Sequence, residues 1–377
     1  MIYLDYNATT PIDESVAEAM SPFIHGSFGN PSSSHEYGVA AKKAVEAARG
    51  QAANLLGANP DEIVFTSGGS ESNNMVIKGV VYSCRHKGNH IITSQIEHPA
   101  VLNPCRFLEK NGYEVSYLPV DKYGAVDPSD VEKAVTNKTI LVTIMHANNE
   151  TGTIQPVSDI SAICRSKGVL FHTDAAQSVG KIPANVDDLG IDFLSIAGHK
   201  LYAPKGIGAL YIKEGLSFEP LIHGAGHERG RRAGTENVIF DVGLGRACEI
   251  ASALMGDDTV HKLTDRFHSG LRELFGDRLR LNGHPVNRLP NTLYISFLGL
   301  TTSSVLGALG DVAVSTGSAC HSGSTSLSPV LKAMGVSESE TAATVRFSLG
   351  RYTTRNEIEV VLENLSILDE NAGDYAI

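Results

Sequence analysis

Between residues 62 and 213 the chain repeats one alternation. Short apolar runs bounded by turn-forming residues (IVFT, HIITS, YEVSYLPV, TILVTIMHANN, GVLFHTDAA, IDFLSIAGHK and IGALYIK) are separated in several places by segments of helical spacing, such as 98–110, 127–136 and 156–167. Strands that alternate with helices predict an α/β fold with a mainly parallel sheet covered on both faces. Upstream, a helix is expected from about Asp13 to Met20 and another over 38–57, and residues 62–80 read as a strand, a Gly/Ser turn and a helix. Beyond about residue 255 the pattern changes. TVHKLTDRFHSGLRELFG reads as a long helix, RLPNTLYISFLG as a strand and RNEIEVVLENLSIL as a closing helix. The expected organisation is an N-terminal arm over 1–15, a large domain over 16–254, and a smaller C-terminal α/β domain over 255–377 with which the arm packs.

Composition narrows the function classes. A net charge of −11 over 377 residues argues against direct nucleic-acid binding, which needs clustered Lys and Arg. No stretch approaches 18 apolar residues, so no membrane span is expected. The opening MIYLDYNATTP has no basic region followed by an apolar run, so no signal peptide is expected either. The five cysteines, Cys84, Cys105, Cys164, Cys248 and Cys320, are odd in number and widely spaced, with no CxxC pair. That excludes a zinc knuckle or dithiol motif, predicts no metal site, and fits free thiols in a reducing, cytoplasmic setting.

Several strand ends carry chemistry. Lys200 follows the run IDFLSIAGH, where a held lysine can form a Schiff base, although a surface lysine would look the same. Asp174 ends the run GVLFHTD at the carboxyl end of a strand, where parallel sheets bind ligands. An aspartate there can pair with a protonated pyridine nitrogen, or simply cap the next helix. Gln177 follows as a donor for a phenolate oxygen. FTSGGSESNN, 65–74, places Gly69 and Ser70 at a helix start, an anion site by its free N–H groups, or an ordinary cap. It matches neither GxGxxG nor GxxxxGK[ST], which weakens nicotinamide and ATP readings. His98 in QIEHPA can stack on a planar ring, and Asn148 lies at another strand end. Together these parts describe a cradle for pyridoxal 5'-phosphate. Cys320, in STGSACHSGS, sits among small residues rather than the apolar neighbours of a packed thiol.

With those residues in place, the chain resembles the pyridoxal-phosphate-dependent cysteine desulfurases of the class V aminotransferase family, and the selenocysteine lyases of the same superfamily. The likeness is carried by YLDYNATTP, NPSSSHEYG, FTSGGSESNN, EHPAV, HANNETG, HTDAAQ, GHKLYAPKGIGALYI, RRAGTEN, STGSACHSG and VRFSLGRYTT, in order along nearly the whole chain. The resemblance implies a fold-type I homodimer with a seven-stranded sheet and active sites between subunits. It assigns Lys200 to the covalent link with the cofactor, Asp174 to the pyridine nitrogen, Gln177 to the phenolate, and His98 to stacking and proton transfer. Gly69, Ser70 and His199 are expected at the phosphate, with Thr235 reaching the neighbouring subunit's phosphate. Arg346 is expected to grip the substrate carboxylate, and Asn148 to lie near both cofactor and carboxylate. For Arg346 the planar fork suits a carboxylate, and a structural salt bridge is the plainer reading. Many relatives carry a serine where this chain has Ala197, a departure that puts one phosphate contact in question but not the cofactor itself; whether Ser195 compensates stays open. The implied reaction converts L-cysteine to L-alanine, with sulfur passing to Cys320 as a persulfide and then to an acceptor protein. ACHSG and LSPVL keep a selenocysteine lyase in view, and a catalytically silent scaffold of a sulfur-transfer complex is the non-enzymatic alternative.

Overall fold

The computed structural model describes residues 1–316 and 327–370. Its centre is a seven-stranded sheet in the order Ile63–Thr66, Gly208–Ile212, Phe193–Ala197, Leu170–Asp174, Thr139–Thr143, His90–Ser94, Glu114–Leu118. Neighbours are parallel except where Gly208–Ile212 pairs antiparallel with both of its own. Most of these strands are buried along their whole length, which is why they read as continuous apolar runs rather than alternating ones. Helices Glu36–Leu56, Val157–Lys167 and Val238–Ala253 supply one apolar layer, together with Phe65, Val142 and Phe171. Helices Gly69–Cys84 and Pro99–Glu109 supply another, around Met75, Ile77 and Leu108. Cys105, Cys164 and Cys248 are buried within these layers, and burial pushes each thiol up to about 12. They are packing residues rather than nucleophiles.

A second sheet of four strands, Ser315–Thr316, Thr344–Ser348, Thr292–Phe297 and Leu279–Leu281, is antiparallel throughout. Helices Thr259–Phe275 and Arg355–Glu370 close its core around Phe267, Phe347 and Leu365. The first residues of the chain join this part: Ile2–Tyr3 pairs in parallel with Val312–Ala313, Leu4 is fully buried in the same core, and Asp5 bridges Ser348. Among the described residues no helix is long and apolar enough to cross a membrane, and no cluster of His, Cys, Asp or Glu is arranged to hold a metal.

Candidate active site

A cleft of about 790 Å³ opens where the parallel strands end, and Lys200, His98, Asp174, Gln177, Gly69, Ser70, His199 and Arg346 all border it. Lys200 closes the turn Gly198–Lys200 directly after the strand Phe193–Ala197. Burial and the Arg346 charge, opposed by Asp174, push its amine down to about 8. Asp174 ends the neighbouring strand. Its Oδ2 accepts from Asn73 Nδ2 at 2.7 Å and its Oδ1 from the Ala176 N–H at 2.9 Å, so the carboxylate is fixed where it borders the cleft.

His98 is the N-cap of the helix Pro99–Glu109. Its Nδ1 accepts from the Ala100 N–H at 3.1 Å, which leaves Nε2 to carry the proton of the neutral ring. Burial, aided by the Lys200 charge, holds its pKa below the ordinary histidine value. Glu97, one residue earlier, is buried beneath it. Its carboxylate accepts from Ser94 Oγ at 2.7 Å and from the Met145 N–H at 3.0 Å, yet burial outweighs both and raises its pKa to about 8. A carboxyl raised in the folded state holds a proton that the unfolded chain releases between about pH 4.5 and 8. Its contribution to stability is therefore greatest in acid and falls as pH rises through that window. Glu97→Gln, which stays neutral, is expected to flatten that fall. Urea unfolding of both proteins at pH 5 and pH 8.5 should show the variant gaining relative stability at the higher pH; an equal difference at both would show that Glu97 is ionised throughout.

The helix Gly69–Cys84 begins on the cleft wall. Gly68 has φ 142°, a conformation that strongly favours glycine, and a Cβ placed on Gly69 would sit 3.4 Å from the Ala197 Cβ across the cleft. The helix start is thus narrow, lined by backbone and small groups, and suited to a phosphate. Glu71 also lies here, but its carboxylate is tied to Arg232 at 2.9 Å and to the Ser67 N–H at 2.7 Å. Ser195 does not make up for Ala197: it is fully buried, with its Oγ 3.0 Å from His172 Nε2.

One expected residue is placed differently. Asn148 does not border the cleft. It is fully buried, its Nδ2 donates to the Ile96 carbonyl at 3.0 Å, and its Oδ1 accepts from the Glu150 and Thr151 N–H groups. Its neighbour Asn149 is the one on the wall. Thr235 is exposed and away from the cleft of its own chain. Arg346 does border the cleft, but Nη1 donates to the Asn149 carbonyl at 2.8 Å, and Nη2 donates to Asp5 at 2.9 Å and Ser315 at 3.0 Å. Its buried Nε–H has no partner among the described residues. Both hydrogens of Nη2 are engaged, so a bidentate carboxylate grip must displace Asp5 or Ser315. Cys320 lies outside the described residues. Sequence reading missed Asn73, which holds Asp174, and Asn7, whose backbone carbonyl accepts from Gln177 Nε2 at 2.9 Å.

A buried lysine, a fixed aspartate, a histidine and a helix N-terminus around one cleft, on a mainly parallel sheet, fit the fold-type I architecture of pyridoxal-phosphate enzymes. The class V aminotransferase model matches residues 2–361, and the chain belongs to that family. It is 50% identical over 374 residues to the cysteine desulfurase IscS of Dictyoglomus turgidum, covering 98% of this chain and 94% of that protein. Among solved structures it is similar to a NifS-like protein, with a TM-score of 0.91 and 40% identity over 97% of this chain and 98% of the other. It is also similar to SspA in complex with cysteine, with a TM-score of 0.85 and 41% identity over 94% of this chain and all of the other.

Proposed function

We propose that this protein is a cysteine desulfurase: it converts L-cysteine to L-alanine and passes the sulfur through its own cysteine to an acceptor. The observation that carries this reading is the meeting of Lys200, Asp174 and His98 with the Gly68–Gly69 helix start around one cleft. The 50% identity to a desulfurase, and the likeness to a structure holding cysteine, support it. The site fits pyridoxal phosphate: Gly69 and Ser70 would hold the phosphate with His199, Asp174 the ring nitrogen, Gln177 the ring oxygen, and His98 the ring face. When bound, that cofactor supplies an electron sink for the substrate carbons. The chain's own residues do the rest. An amine at Lys200 lowered to about 8 has a far larger unprotonated share near neutral pH than an ordinary lysine, and that share can take a proton. His98 offers its Nε2 proton above the ring. Arg346 and Asn149 hold the carboxylate. The Cys320 thiolate attacks the substrate sulfur; the S–S bond forms as the C–S bond breaks, the electron pair goes to carbon, and a proton completes alanine. A second thiol, on an acceptor protein, then takes the terminal sulfur. Thr235, exposed on its own chain, is read as a phosphate ligand of a second protomer, which makes the working unit a homodimer.

Cys320→Ala is expected to lower alanine release from L-cysteine by at least about tenfold, because the sulfur loses its nucleophile. Alanine release from L-selenocysteine should fall less, since selenium leaves more readily. Equal turnover of L-cysteine by both proteins would sink the persulfide mechanism and favour a lyase.

A further inference from the structure

A second cavity, of about 120 Å³, is lined by Lys181, Lys200, Tyr202 and Asn291 among others. Lys200 borders both cavities, and the wall between them also holds Gln177 on the cleft side and Lys181 on the far side. Consecutive tight turns, Ser178 N–H to the Ala175 carbonyl and Lys181 N–H to the Ser178 carbonyl, bring the two side chains together. Lys181 Nζ donates to Gln177 Oε1 at 3.0 Å and to Asn7 Oδ1 at 2.9 Å. Both partners are amide oxygens, and neither neutralises a charge. Burial and the Lys200 and Arg346 charges hold the pKa of Lys181 well below that of a free lysine. A lysine so placed is expensive for stability and stands four residues from a cofactor-facing amide, which calls for a reason.

An amide has one donor end and one acceptor end, and turning it over exchanges them. In its ammonium form Lys181 can only be met by the oxygen. We propose that Lys181 is a positioning residue that locks the Gln177 amide with its N–H end toward the cleft, so that one N–H remains available for the cofactor's ring oxygen. The other Nε2 hydrogen is already given to the Asn7 carbonyl at 2.9 Å. Asn7 is itself held by Asn291 Nδ2 at 3.1 Å on its Oδ1, and donates from Nδ2 to Thr292 Oγ1 at 2.8 Å. The lock therefore joins the arm, the turns that follow the strand Leu170–Asp174, and the small sheet. Without Lys181, only the Asn7 carbonyl still opposes turning the amide over, and the Gln177 oxygen faces the ring oxygen in a larger share of the molecules and repels it.

This inference rests on the pyridoxal-phosphate reading, and a spectroscopic titration separates the two. An absorbance band near the visible edge in the protein loaded with pyridoxal phosphate, absent in Lys200→Ala, establishes the cofactor link on its own. In Lys181→Met the pH midpoint of that band is expected to rise by about 0.5–1 unit, because a ring oxygen that has lost its donor becomes more basic and the linked nitrogen keeps its proton to higher pH. In a Gln177→Leu background the same substitution should shift the midpoint no further, as two members of one chain of contacts do not add. Lys181→Ala is the second variant should the methionine not fold. A midpoint unchanged from the parent protein overturns the proposal. So does an equal shift with and without Gln177, which would mean that the lysine acts by its field alone.

Discussion

Lys200→Ala is expected to lower alanine release from L-cysteine by about 10²–10⁴-fold and to erase the cofactor's absorbance band. The effect is chemical rather than structural. The turn that carries Lys200 is held by its backbone, through Gly198 N–H to the Ile207 carbonyl at 3.0 Å and Leu201 N–H to the Gly198 carbonyl at 2.8 Å, and alanine leaves both intact. What is lost is an amine of unusual acidity. At pH 8 an ordinary lysine has only about 0.3% of its amine unprotonated. With its pKa pushed down to about 8, the Lys200 amine, when not bonded to the cofactor, is roughly half unprotonated, more than a hundredfold the share of an ordinary lysine. Lys200→Arg is the companion test. Arginine keeps length and charge but never gives up its proton, so it should be as inactive as alanine. Turnover of the parent protein should climb between pH 7 and 8 as the amine is freed, and neither variant should show that limb. A Lys200→Arg variant that still releases alanine at a parent-like rate would remove the lysine from the chemistry.

The sequence made the alternation, and with it the site at the strand ends, readable; what it hid was direction and distance. IGALYIK looks like any buried strand, and its antiparallel direction follows from a connection of only ten residues, 198–207, too short for a crossover helix. That length was available from the start and is the signal that sets the strand's direction. The ten family stretches led to Lys200, Asp174, His98 and the helix start, and all of them border the cleft. Asn148 and Asn149 are another matter. Two identical neighbours leave no compositional clue as to which faces the cleft, and it is the turn at 148–151, capped by the Asn148 side chain, that turns the first inward. Partners far apart in the chain were also invisible: Asn73 lies 101 residues from Asp174, and Asn7 170 residues from Gln177. Arg346 borders the cleft and is paired with Asp5, so the salt bridge of its plainer reading is present.

The charge on Asp174 can be tested apart from its packing. Asp174→Asn is expected to cut kcat/KM for L-cysteine by about 10²–10³-fold, the loss typical of one electrostatic contact aimed at charge that develops in the transition state. The fold should survive, for a reason particular to this site. Asp174 accepts from two donors, Asn73 Nδ2 and the Ala176 N–H, and asparagine can accept from only one of them at a single oxygen. Asn73, however, has a buried Oδ1 with no partner among the described residues. By turning its amide over, Asn73 presents that oxygen to the new side-chain N–H, and the pair is hydrogen-bonded again with one polar atom unsatisfied, as before. Asp174→Ala offers no such exchange. It strands both donors in a buried place, at a cost of about 1–3 kcal/mol for each. Thermal unfolding of the cofactor-free proteins should therefore put Asp174→Asn close to the parent and Asp174→Ala well below it, while both lose turnover alike. If the asparagine variant kept most of its turnover, the negative charge would have no part in stabilising the reacting carbons, and Asp174 would be left as a cap for the turn at Ala176.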